Sequence, residues 1–163
     1  MSHENQPLPP RQPLPYNRLT PDFRLQSASG ALHSREQFRG KHGLVLLFLP
    51  RAEPASVALL ARIKALWAEF LEINAQVLAI FDAEPEALAP LAQTLDVPFP
   101  LLADADGRVW RQYTGEPTRG AALFILDTYG ALSAQRLVES AAELPEADEV
   151  LELARYTQYR CSV

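Results

Sequence analysis

The residues able to do covalent chemistry are few. One cysteine, Cys161, stands third from the last in a chain of 163 residues. A lone thiol excludes an intramolecular disulfide and a Cys-rich metal centre. It leaves two readings, a one-cysteine redox centre or an ordinary thiol on a fraying terminus. No helix N-terminus favours its thiolate, because the last helix presents its negative end there. If Cys161 reacts, an intermolecular disulfide is the expected product. The three histidines, His3, His33 and His42, lack the H-x-x-x-H spacing of a metal site. Asp104, Asp106 and Gly107 resemble a calcium loop at a glance, but the downstream Glu is missing and a turn is the better reading. With seven glycines and none flanking a strand–helix junction suitably, no phosphate-cradling loop is present. Ser56 precedes a helical pattern by one residue, which suits a helix cap. A serine nucleophile needs an adjacent base, and no histidine lies near Ser56, nor does G-x-S-x-G occur.

The elements that must position these residues follow from hydrophobic period. Leu44–Leu49 is a continuous apolar run between Gly43 and Pro50, as for a central strand buried on both faces. Apolar residues at Val57, Leu60, Ile63, Trp67 and Phe70 then predict a helix over 56–73. Residues 76–81 form a second buried strand, and a helix over 85–95 carries Pro90, expected to break or kink it. Strand, helix and strand make a parallel βαβ unit. Residues 121–126, the turn Asp127-Thr-Tyr-Gly130 and residues 131–138 predict an antiparallel hairpin, with Gly130 at positive φ. A last helix begins around Pro145 with acids at Glu146, Asp148 and Glu149, and carries Arg155 and Arg160 towards its end. Trp67, Trp110 and Tyr113 read as packing residues, the last two beneath the loop that leads to Arg119. The order is α/β and thioredoxin-like: a central mixed sheet, βαβ then hairpin and C-terminal helix, flanked by helices.

Composition bounds the rest. Hydrophobic residues are 48% and charged residues 21%, the balance of one globular domain. Fifteen Lys plus Arg against twenty Asp plus Glu give a net charge of −5, the wrong sign for nucleic acid. No apolar stretch approaches the ~20 residues of a membrane span. The opening residues have neither a basic nor an apolar leader segment, so a cytoplasmic protein is expected. Six of the fourteen prolines fall in the first 21 residues. Residues 1–18 are therefore expected to be an extended proline-rich tail, either a ligand for a proline-recognising domain or a run across the surface. Residues 19–163 form a single domain.

Four segments resemble one known family. Thr20-Pro-Asp-Phe-Arg-Leu25 is similar to the A-P-D-F-x-L opening of the peroxiredoxins, the alkyl hydroperoxide reductase and thiol-specific antioxidant group. Gly40-Lys41 with Leu44–Pro50 resembles their G-K-x-x-V-L-x-F-x-P. Residues 97–107 look like P-F-P-L-L-x-D-x-x-G, and Phe124–Gly130 like F-I-I-D-x-x-G. In order and at the right separations, they cover residues 19 to 153. The resemblance implies a thioredoxin-type fold, an antioxidant oxidoreductase activity without metal or cofactor, and self-association as dimers or rings.

It also implies a peroxidatic cysteine after the first buried strand, in P-x-x-x-T/S-x-x-C. There a helix N-terminus and a distant Arg lower the thiol's pKa, and the thiolate attacks a peroxide O–O bond to become a sulfenic acid. This chain has Pro50-Arg-Ala-Glu53-Pro-Ala-Ser56-Val57. With a one-residue gap Ser56 takes the position; without it, Val57 does. Neither provides sulfur. Arg119, five residues before Phe124, is either the family's second active-site residue or a loop arginine; if it reaches the pocket, Glu53 is its expected counter-ion. Three functions follow: a non-peroxidase relative whose pocket around Pro50, Glu53, Ser56 and Arg119 binds a small molecule or protein; a thiol-dependent peroxidase working through Cys161; or a structural or interaction subunit. A homodimer is expected in each.

Overall fold

The computed structural model describes residues 14–161. Seven strands form one mixed sheet, β1 (Arg24–Ser27), β2 (Leu32–Ser34), β3 (Gly43–Leu49), β4 (Ala75–Phe81), β5 (Leu101–Ala103), β6 (Ala121–Leu126) and β7 (Leu132–Val138). Their order across the sheet is β2-β1-β5-β4-β3-β6-β7. β3 and β4 run parallel in register from Gly43↔Ala75 to Leu49↔Phe81, as the βαβ pattern predicts. β6 lies antiparallel on the other side of β3, and β7 returns antiparallel beside it. Asp127 closes the hairpin by accepting the backbone N–H groups of Tyr129 and Ala131, each at 2.9 Å. Gly130 there has φ +84°, a conformation that costs other residues a steric clash.

Every residue of β3 is buried, and alternate side chains serve two cores. Val45, Leu47 and Leu49 face α1 (Pro54–Ala65), α2 (Trp67–Glu72), α3 (Ala89–Leu95) and α5 (Ala147–Cys161). Leu44, Leu46 and Phe48 face α4 (Arg108–Thr114), which contributes Val109, Trp110 and Tyr113. The Phe48 ring meets Phe124 and Trp110 edge-on at 5.7 and 5.8 Å, an arrangement aromatic quadrupoles favour. Trp110 and Tyr113 are core residues, and the Trp110 indole donates to the Thr118 carbonyl at 3.2 Å, holding the loop that leads to Arg119.

Several boundaries differ from the sequence expectation. The helix expected over 56–73 is two helices separated at Leu66, whose ψ of 9° departs from helical geometry. The helix expected over 85–95 is broken beside Pro90, as expected: a 3-10 turn over Pro85–Leu88 gives way to α3, and Pro90 sits in the first turn of α3, where its missing N–H is harmless. α5 starts at Ala147, two residues after Pro145. Residues 14–18, assigned to the tail, lie against β7: the Asn17 N–H donates to Leu132 O at 2.8 Å, and Leu132 N–H to Arg18 O at 3.0 Å. The proline-rich residues before them fall outside the described ones.

Candidate functional site

α1 begins where β3 ends. Pro50 closes the strand, residues 51 and 52 are exposed, and Glu53 is the helix N-cap, with extended backbone at φ −84° and ψ 164°. Pro54 is the first helical residue, and its fixed φ and absent N–H make it a natural helix starter. Ser56 is therefore the third helical residue and not the cap. The cap expectation fails because proline opens the helix three residues earlier than a serine cap would. Glu53 makes no side-chain hydrogen bond to the helix. The Ser56 side chain is wholly buried, and its hydroxyl has no hydrogen-bond partner. Val57, the alternative position, is half-buried.

Arg119 comes to the same end of the sheet, since it precedes β6 and Ala122 pairs with Phe48 near the end of β3. Its partners are two aspartates. Its guanidinium lies 3.4 Å from the Asp82 carboxylate and 3.5 Å from that of Asp104, and also donates to the Asp104 carbonyl. The expected Glu53–Arg119 pair does not form: among the described residues, Arg119's carboxylate partners are Asp82 and Asp104. Asp104 is only 1% exposed and is held from a second direction, accepting the Val109 and Trp110 N–H groups at 3.2 and 2.8 Å at the start of α4. Gly107, at φ +71°, leaves room for this clamp, because a Cβ there would come within 3.2 Å of the Arg119 guanidinium. Sequence reasoning did not find Asp82 and Asp104 as partners. The signal was present in their placement, each one residue beyond the end of a parallel strand, β4 or β5, where side chains of neighbouring strands converge.

Beside the start of α1 runs an apolar groove of about 480 Å³, with Ala55, Ala58 and Leu59 on one wall and Leu144 and Pro145 on the other. Arg62 and Asp148 cross its end as a 3.5 Å ion pair. Cys161 is the last residue of α5, which runs from this end of the sheet to the opposite one. His42 also lies at that far end, its Nδ1 2.5 Å from Asn74 Oδ1. His33 is on β2, where burial lowers its pKa. His3 lies outside the described residues. Among the described residues no group of three or more His, Cys, Asp or Glu is placed to hold a metal, and no helix is long and apolar enough to cross a membrane.

Solved structures share this architecture. The chain superposes on peroxidoxin BcpB from Mycobacterium tuberculosis with a TM-score of 0.75 at 23% identity, covering 86% of this chain and 96% of that one. Peroxiredoxin Q of Xanthomonas campestris gives 0.73 at 21% identity over 83% and 91%. AhpC of Enterococcus faecalis gives 0.76 at 20% over 90% and 94%. These likenesses establish the fold. No curated protein matches the chain. The AhpC/TSA family model matches residues 17–135, a span holding all seven strands except the last three residues of β7, together with Pro50, Glu53, Ser56 and Arg119. With the sheet order, the buried start of α1 and this match in agreement, the chain belongs to the AhpC/TSA family.

Proposed function

We propose that this family member does not reduce peroxides through a cysteine, and that the region around the start of α1 serves as a binding site for a small molecule or a protein partner. The observation carrying the reading is Ser56. It is the third residue of α1, fully enclosed, with a hydroxyl that no neighbour engages, and the resemblance to peroxiredoxins puts the peroxidatic thiol here or, without a gap, at the next residue, Val57. A thiolate there would attack the peroxide O–O bond and become a sulfenic acid as that bond breaks, expelling hydroxide or alkoxide, which takes up a proton to give water or an alcohol. Serine has no corresponding oxidation state, and its oxygen is a poor nucleophile without a base. The guanidinium that would stabilise an anion is already opposed by Asp82 and Asp104. Glu53 adds a carboxylate at the helix start, which further disfavours an anionic nucleophile. A cytoplasmic setting and a homodimer belong to the same proposal.

Peroxidase chemistry through Cys161 gains no support from its position. It ends α5, where the helix dipole is negative and disfavours a thiolate. The test is peroxide consumption in excess dithiothreitol, comparing the wild type with Cys161→Ser. The expected result is no turnover above the thiol background in either protein. Turnover that disappears in C161S would overturn the proposal in favour of a relocated one-cysteine peroxidase.

A further inference from the structure

A cleft of about 360 Å³ opens where β5 begins, bounded by the β1–β2 turn, β2 and α3. The start of α1 lies beyond the other end of the parallel strands, where β3 finishes, so this cleft is separate from the region around Ser56. Its wall is apolar, made by Ala92 of α3 and residues 97–101, and Phe99 is backed by the Trp67 ring at 5.4 Å. Pro98 and Pro100 in this wall have no backbone N–H, and the Pro100 carbonyl is already taken by the Ala79 N–H at 3.2 Å. Among the described residues, no Asp, Glu, Lys or Arg lines the cleft.

Three polar side chains converge on this wall. Ser27 and Ser29 hold each other, Oγ to Oγ at 2.9 Å, beside the turn that Gly30 makes at φ +89°. In such a pair one hydroxyl donates to the other, and the acceptor's own proton is left over. His33 faces Leu25 across the β1–β2 ladder, and Leu25 and Ser27 stand two apart on one strand, so the imidazole and the Ser27 hydroxyl share a face. His33 Nδ1 is enclosed without a hydrogen-bond partner. An enclosed lone pair costs less than an enclosed N–H, which puts the ring proton on Nε2. Burial lowers the pKa of His33 and so keeps the ring neutral at pH 7. The cleft thus presents two donors, an imidazole N–H and a serine O–H, beside an uncharged apolar wall. A charged ligand would shed water there and meet no counter-charge. A purely apolar one would dry the donors and leave them unpaired. An uncharged oxygen with two lone pairs satisfies both conditions. We propose that this cleft binds a small uncharged carbonyl compound with a ring, of the aryl ketone or lactam kind, the ring against residues 97–100 and the oxygen accepting from His33 Nε2–H and from the free serine hydroxyl.

The experiment titrates the isotope-labelled full chain, at about pH 7.5 so that the imidazole is neutral, and follows its backbone amide correlation spectrum. Acetophenone is the probe. Its two controls are α-methylstyrene, which has the same shape with C=CH2 in place of C=O, and benzoate, which carries a charge. The expected result is a saturable shift with acetophenone, confined to residues 27–33, 92 and 97–101. Both controls should bind more weakly by about fivefold or more, the loss expected for a missing hydrogen bond or an unmet charge. His33→Leu should weaken acetophenone by a similar factor, and His33→Gln, whose amide restores an N–H donor, should regain part of it. Ala92→Phe fills the cleft and should abolish the shift, which carries the test should His33→Leu fail to fold. The absence of a saturable shift overturns the proposal. So do equal affinities for the ketone and the hydrocarbon, shifts that survive Ala92→Phe, or shifts that map instead to the groove beside α1.

Discussion

Ser56→Ala should stabilise the protein. The Ser56 hydroxyl is completely enclosed and makes no hydrogen bond. An unpaired buried hydroxyl costs about 1–3 kcal/mol by protein mutational data. Alanine also improves helix propensity over serine by up to about 0.5 kcal/mol. The opposing term is small, since removing one oxygen leaves a void smaller than a water and loses a few dispersion contacts. The balance is a gain of about 1–3 kcal/mol, which for a domain of this size raises Tm by about 2–4 °C per kcal/mol. Urea unfolding followed by circular dichroism, with an unchanged m-value, measures it. A loss of stability of half a kcal/mol or more would refute the reasoning, because it would mean that the hydroxyl is hydrogen-bonded in solution, to a trapped water or a shifted carbonyl. A gain would carry a functional message too: a residue kept at a cost to stability is a mark of a site.

Arg119→Met should destabilise by about 1–3 kcal/mol, because it strips the cation from the buried Asp104 carboxylate while the two α4 N–H groups remain, and the partial exposure of Arg119 and Asp82 trims the full buried-pair penalty. Asp104→Ala should cost more, since it also removes the α4 cap; equal midpoints for the two variants in urea would contradict the clamp. His33, whose pKa burial pushes below its ordinary value, favours the neutral ring in the folded state. That contribution is intact above about pH 6.5 and is lost as the pH falls below it, where the unfolded chain takes up the proton more readily. Unfolding midpoints measured on both sides of that pH should fall less in His33→Gln than in the wild type, and identical slopes would exclude His33 as a source.

Strands β3, β4 and β6 were legible because each carries a continuous apolar run, and the β6–β7 hairpin because Asp127 and Gly130 have one suitable turn chemistry; β5, buried but only three residues long, was not legible. The pairing directions followed from connection length alone. The short edge strands β1 and β2 were not legible: they hold four and three residues, with an alternating or mixed exposure pattern that fits a loop equally well. α4 was missed because its cap is Gly107 and its anchoring carboxylate, Asp104, precedes it by four residues. At the candidate site, sequence placed Pro50, Glu53, Ser56 and Arg119 near one strand end, and the structure keeps them at that end. It could not reveal which carboxylate Arg119 meets, because Asp82 is 37 positions away in the chain, the difference between 119 and 82, and comes from a strand two places removed from β6. Nor could it reveal that Ser56 is sealed. Burial of a hydroxyl depends on the loop, α1 and the sheet together.

The clamp of Asp82, Asp104 and Arg119 also bears on the lifetime of the fold. Its three members follow β4, follow β5 and precede β6, and in the sheet β3 lies between β4 and β6. The guanidinium can therefore reach the aspartates only after β3 has been inserted and β6 has docked on it. Contacts that need such prior assembly form on the native side of the folding barrier, so they slow the opening of the finished protein far more than they hasten its formation. An arginine held between two carboxylates becomes in this way a latch that sets how long the folded chain survives between openings.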